Sequence, residues 1–127
     1  MPKPARSRVA PTVHRSTCPI ASSLDVVGDR WSLVVIRDLF RGLKYYREFQ
    51  SGPEGIPTNI LADRLRRLER DGIIQREPYQ TNPVRFAYSL TRKGADLKPV
   101  LGALGYWAMN HLPEVKPNPS LMAMLRK

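Results

Sequence analysis

Three leucines, Leu61, Leu65 and Leu68, constrain this chain more than any other feature. Their i, i+4, i+7 spacing lines one side of an α-helix and does not fit a strand. The helix they mark covers about 57–71, opens on Pro57 and stops at Gly72. Its opposite face carries Asn59, Asp63, Arg66, Arg67 and Arg70. Directly afterwards the period changes. Residues 74–79 and 84–90 read as strands, the second alternating Phe86, Tyr88 and Leu90 with Arg85, Ala87 and Ser89. Gln80, Thr81, Asn82 and Pro83 make the loop between them, and Pro78 puts the first strand at an edge or near its own end. A lone two-stranded hairpin is marginal in water, so it must pack on helices.

The rest of the chain supplies those helices. Pro19 opens one, capped by Thr17 or Cys18, with Ile20, Leu24 and Val27 on a stripe and Gly28 as its stop. Asp29 caps a second that runs to about Phe40. Trp31, Leu33, Val34, Val35, Ile36 and Leu39 make it apolar almost all round, the mark of a buried central helix. Residues 45–51 suggest one or two helical turns, and 52–57 form a turn rich in Gly and Pro. A last helix is expected from Arg92 to about Leu112, capped by Thr91 and bent at Pro99. Its stripe of Leu97, Leu101, Leu104, Ala108 and Leu112 is widened by Val100, Trp107 and His111. That exceeds what one core contact needs, so part of it is expected to meet a partner subunit. The fold class is mainly α with a small β hairpin (α+β). The domain plan is a flexible basic arm over 1–17, one domain over 18–112 and a tail over 113–127. The tail is expected to fray, although Leu121, Met122, Met124 and Leu125 are available to dock.

Composition narrows the function. Among 127 residues there are 21 Lys and Arg against 11 Asp and Glu, a net charge of +10, which points to nucleic acid. One cysteine rules out a disulfide scaffold. No apolar run reaches the roughly 18 residues of a membrane span, and the first residues lack the apolar core of a secretory signal. A free thiol without an export signal suggests a reducing cytoplasm. His14 and His111 stand in no ligand motif, so neither a metal nor any other cofactor is expected. No serine lies in a nucleophile elbow, and Asp63, Glu69 and Asp71 read as helix-surface charges. An enzyme is not expected.

A short helix, a glycine turn, a basic helix and a hairpin make the arrangement of a winged helix-turn-helix, whose second helix enters the major groove of duplex DNA. Arginine can grip guanine bidentately and asparagine adenine. The first turn of such a helix goes deepest, which places Thr58, Asn59 and Asp63 at base edges, with Arg66 and Arg67 as further base-reading candidates. Arg66, Arg67 and Arg70 lie nearer the backbone. Arg70, Arg76, Arg85 and Lys44 are the backbone and wing candidates, the wing being the loop and strand start at 80–85. Lys3, Arg6, Arg8 and Arg15 belong either to a solvated tail or to an arm lying in a groove. A solvated amphipathic helix would show the same outer face, and charge alone supports only nonspecific phosphate binding. The alternative is a basic RNA- or ribosome-associated winged helix, although no aromatic platform for stacking single-stranded bases is evident.

The segments CPIASSLDVVGDRWSLVVIRDLFRG, GIPTNILADRLRRLERDGIIQRE and RFAYSLTRKGADLKPVLGALGYW, in this order, resemble the HxlR-type transcriptional regulators, a winged-helix group related to the MarR type. The resemblance covers about residues 18–112. It departs at Gly42-Leu43, where the family often has Gly-Pro, and at Pro57, where it often has Ser. It implies a homodimeric DNA-binding regulator, typically of palindromic operators, that pairs through its first and last helices. Ile20, Leu24, Leu104, Trp107 and His111 are the candidate interface residues. The expected function is a dimeric repressor relieved by a small-molecule or redox signal. Some members of the family sense oxidants or electrophiles through a cysteine at the place of Cys18. A thiol at a helix N-terminus near Arg15 would favour its reactive thiolate, whereas a cap or small filler is the plainer role. Trp31, Phe40, Tyr45, Tyr46, Tyr106 and Trp107 are expected either to line an effector cavity or to be plain core.

Overall fold

The structure, a computed structural model, describes residues 16–126. The expected arm residues Lys3, Arg6, Arg8, His14 and Arg15 lie outside the described residues. The element order is α1 (Pro19–Val27), α2 (Ser32–Phe40), α3 (Tyr46–Gln50), α4 (Thr58–Arg70), β1 (Ile74–Thr81), β2 (Val84–Leu90), α5 (Arg92–Ala95), α6 (Lys98–His111) and α7 (Pro119–Arg126).

Helix α2 is the central element. Val35, Ile36 and Leu39 are buried in one cluster with Phe49, Ile56, Leu61, Leu65, Leu68, Ile73 and Ile74. The leucine stripe of α4 therefore faces inward, as its spacing requires. Helix α2 begins later than expected, at Ser32. Asp29 still serves it: Oδ1 accepts from the Trp31 and Ser32 N–H groups at 2.8 and 3.0 Å, and Oδ2 from the Ser32 hydroxyl. Pro57 is the N-cap of α4, in extended conformation, and the helix proper starts at Thr58. Gly72 ends it at a φ of +77°, which L side chains rarely adopt.

The hairpin is antiparallel, pairing Ile74 with Leu90 and Thr81 with Val84, and its register shifts between Pro78 and Gln80. The irregularity falls where proline has no N–H for the ladder. Strand β1 runs on to Thr81, two residues past the expected end. On the other edge of β2, Tyr45 bridges Ala87, and the Tyr88 N–H donates to the Lys44 carbonyl at 2.8 Å. The base of the wing is clamped by Thr91. Its hydroxyl donates to the carbonyls of Gly72 and Ile73 and accepts from the Gly94 N–H at 3.1 Å. A Cβ on Gly94 would stand 2.1 Å from the Ile73 carbonyl oxygen, so only glycine fits there.

Two expectations about the C-terminal third need correction. The single bent helix over 92–112 is two helices, broken at Asp96 and Leu97. Pro99 cannot donate to the Ala95 carbonyl and its ring would clash with it, so the chain restarts with Pro99 in the first turn of α6. The tail does not fray over its last residues. Pro119–Arg126 forms α7, which packs on α6 and buries Leu125. Gly105 allows the close approach, with Met122 Sδ 3.0 Å from where a Cβ would be, while Gly102 lies in ordinary contact range of Leu125 at 3.8 Å.

Candidate nucleic-acid interface

Helix α3, the turn over 51–57 and α4 form the helix-turn-helix, and the hairpin stands beside them. The turn is anchored by buried Ile56, so α4 leaves it at a fixed angle. Tyr46 adds a strut: its hydroxyl donates to the Thr58 carbonyl at 2.9 Å and lies 2.6 Å from the Thr58 hydroxyl. Thr58 is exposed at the tip of α4, but its hydroxyl already has this partner. Asn59 is exposed one residue on. No side chain caps α4, and no acid stands in its first turn. Its first N–H groups and the positive end of its dipole therefore face outward, an arrangement suited to phosphate.

The charged face of α4 is more ordered than its sequence suggests. Asp63 draws three guanidinium groups: Arg64 Nη1, Arg66 Nη2 at 2.6 Å and Arg67 Nη1 at 3.6 Å. Arg66 remains the most exposed of these arginines. Arg70 turns to the far end of the helix and meets Asp71 at 3.2 Å. On the wing, Arg76 Nε lies 3.3 Å from Glu69, and its guanidinium stacks 4.1 Å from the Phe86 ring centroid. Arg85 is exposed on β2 opposite Gln80 and forms no ion pair among the described residues. Lys44 Nζ sits 5.7 Å from the Tyr45 ring centroid. Thr58, Asn59, Asp63, Arg66 and Arg67 thus share the outer part of α4. Arg76, Arg85 and Lys44 belong to the wing and its flank, and Arg70 stands apart.

Arg64 has a role its position in the sequence did not reveal. Its Nε donates to Asp29 Oδ1 at 2.8 Å, tying α4 to the start of α2. Burial pushes the Asp29 carboxyl up, but hydrogen bonds from Ser32, Arg64 and the Trp31 and Ser32 N–H groups outweigh it and hold the group well below the usual carboxylate range. Such a pairing across 35 residues leaves no periodic signal.

The other candidates are dispersed. Ile20 and Leu24 on α1, and Leu104, Tyr106 and Trp107 on α6, are exposed apolar side chains. The Trp107 and His111 rings stand 5.4 Å apart. Cys18 is exposed at the N-cap of α1, and N–H groups of Ala21 and Ile20 lower its thiol from the ordinary value. The six aromatic residues expected around one effector cavity do not meet. Trp31 borders a sliver of about 10 Å³, Phe40 packs on the core, Tyr45 and Tyr46 face the wing, and Tyr106 and Trp107 are exposed. They come from α2, the start of α3 and α6, so spacing within any one helix could not show whether they join. Among the described residues no group of three or more His, Cys, Asp or Glu is gathered for a metal ion, and no helix is long and apolar enough to cross a membrane.

Residues 26–116 match the HxlR-like helix-turn-helix family. An uncharacterized HTH-type transcriptional regulator of Synechocystis, sll1512, is 40% identical over 87 residues, which are 68% of this chain and 64% of the relative. The chain thus spans just under two thirds of that protein. YdeP of Bacillus subtilis, also an uncharacterized HTH-type transcriptional regulator, is 38% identical over 71% of this chain and 70% of its own. The redox regulator HypR, solved in its oxidized form, superposes with a TM-score of 0.67 at 34% identity, covering 74% of this chain and 97% of HypR.

Proposed function

This chain belongs to the HxlR-like helix-turn-helix family, and from that premise we propose that it is a transcriptional regulator that binds palindromic duplex DNA as a homodimer and acts as a repressor. The observation that carries the reading is the outer surface of α4: an uncapped N-terminus for phosphate, an exposed Asn59 beside it, and Arg66 and Arg67 drawn toward Asp63. In the major groove, Thr58 and Asn59 meet base edges first. Asp63 orients Arg66 and Arg67, so it acts on specificity through them as well as by its own acceptors. Arg85 reaches the backbone or the adjacent minor groove from the wing. Arg76 and Lys44 flank that path, and Arg70 serves the backbone at the far end of α4. The exposed apolar side chains of α1 and α6 support a subunit interface built from Ile20, Leu24, Leu104, Trp107 and His111. A two-fold dimer presents its two α4 helices to half-sites about 34 Å apart.

Cys18 is the candidate redox switch. Its exposure and lowered thiol favour the thiolate, and HypR, a structural relative, is a redox regulator. The test is a titration of pure protein against the duplex upstream of its own gene, a scrambled duplex and a structured RNA, at two salt concentrations, with and without reductant. Tight, saturable binding to the upstream duplex alone is expected, with a reductant effect that Cys18→Ser abolishes. Equal binding to all three, vanishing with salt, would replace this reading with a generic basic winged helix and favour the RNA alternative.

A further inference from the structure

We propose that the hollow between α3 and the wing is a binding site for a small planar aromatic anion. The hollow has a volume of about 310 Å³. That is at the lower end of ligand-pocket sizes and suits a molecule of one or two fused rings. Its walls are aromatic: Tyr45, Tyr79, Phe86 and Tyr88, with the Tyr45 and Tyr79 rings 4.8 Å apart and tilted by 49°. Rings in this arrangement offer faces and edges to a flat guest.

The charge is the second half of the argument. Arg47 and Arg85 line the same hollow, and no carboxylate does. Neither arginine forms an ion pair among the described residues, whereas Arg64, Arg66, Arg67 and Arg76 all do. The nearest acid on the same element, Glu48, is turned away to the N–H groups of Lys44 and Tyr45 at 2.9 and 3.0 Å. Two unpartnered guanidinium groups above a ring-lined concavity match a carboxylate on a flat apolar body, since arginine binds carboxylates in bidentate fashion.

The position gives the site a consequence that rests on the proposed DNA reading. Tyr46 lines the hollow and holds Thr58 at the tip of α4, and Arg85 belongs both to the hollow and to the wing. An anion held by Arg85 competes with a DNA phosphate for the same guanidinium.

Calorimetry of the protein alone against 2-naphthoate and its neutral counterpart 2-naphthamide tests the site without DNA. Saturable binding of one naphthoate per chain is expected, with the amide weaker by about tenfold or more. Arg47→Ala and Arg85→Ala should each weaken naphthoate by a similar factor, Arg85→Lys should retain part of the affinity, and Arg92→Ala, exposed on α5, should change nothing. Both arginines are exposed, so these variants should fold. No saturable binding at millimolar naphthoate, equal binding of the amide, or full affinity in both alanine variants would overturn the site. Release of bound duplex by naphthoate is measured separately. If naphthoate binds and the duplex stays, the site stands and the placement of Arg85 on the DNA path fails.

Discussion

Asp29 joins the cap of α2 to the guanidinium of Arg64 on α4, so it ties the two helices together beside the core. Replacing it with alanine removes two things. Loss of the cap to the Trp31 and Ser32 N–H groups costs about 1 kcal/mol. Loss of the charge-assisted bond to Arg64 costs about 1–2 kcal/mol more, softened because Arg64 keeps Asp63. Both side chains are well covered, 16% exposed for Arg64 and 22% for Asp29, so screening by water is modest. The expected loss is about 2–3 kcal/mol, read by urea unfolding at pH 7. Asp29→Asn keeps a capping acceptor but loses the charge, and should cost about 1 kcal/mol. A double-mutant cycle with Arg64→Ala should give a coupling of about 1 kcal/mol. The pH dependence has a fixed sign. The folded carboxyl is held below its unfolded value of about 4, so its contribution is complete above that pH and is lost as pH falls through the folded value. Asp29→Asn should therefore flatten the acid limb of the stability curve. An Asp29→Ala variant within about 0.5 kcal/mol of the parent, or a coupling of zero, would refute the link between the two helices.

Four further predictions follow from single contacts. Leu65→Ala should destabilise by about 2–5 kcal/mol, because Leu65 is buried in the core; a neutral result would overturn the orientation of α4. Gly94→Ala should lower the melting temperature and loosen the wing base in amide exchange, since its Cβ would collide with the Ile73 carbonyl; native exchange rates at Gly72 and Ile73 would contradict this. Arg85→Ala should weaken duplex binding by similar amounts across sequences and reduce the salt slope by about one unit, and an unchanged slope would remove Arg85 from the backbone path. The parent protein should sediment as the proposed dimer, and Trp107→Asp should sediment as a monomer while sparing the far-UV spectrum; a monomeric parent would refute the dimer, and an unaltered dimer in the variant would move the interface off α6.

Much of the fold was legible from local chemistry. The stripe on α4, the stop at Gly72, the alternation in β2 and the apolar wrap of α2 each depend on residues within one element. The C-terminal third was less so. Pro99 signals a disruption, but whether a helix bends or restarts depends on what surrounds it, and here Thr91 and Gly94 already bind the preceding turn to the wing. Helix α7 was also hidden, because a short segment that opens on Pro117 and Pro119 has weak intrinsic helicity and is held by its dock against α6.

Sequence alone was enough for the elements from α1 to β2, the inward and outward faces of α4, the positive charge and the family resemblance. These follow from periodicity, turn chemistry and composition, which are properties of neighbouring residues. Which charges find partners became visible in three dimensions. Asp63 and Glu69 hold Arg66, Arg67 and Arg76, Asp29 holds Arg64, and Arg47 and Arg85 are left to face a ring-lined hollow. Ion pairs and hollows depend on distances between segments far apart in the chain, and those distances exist only once the core has closed.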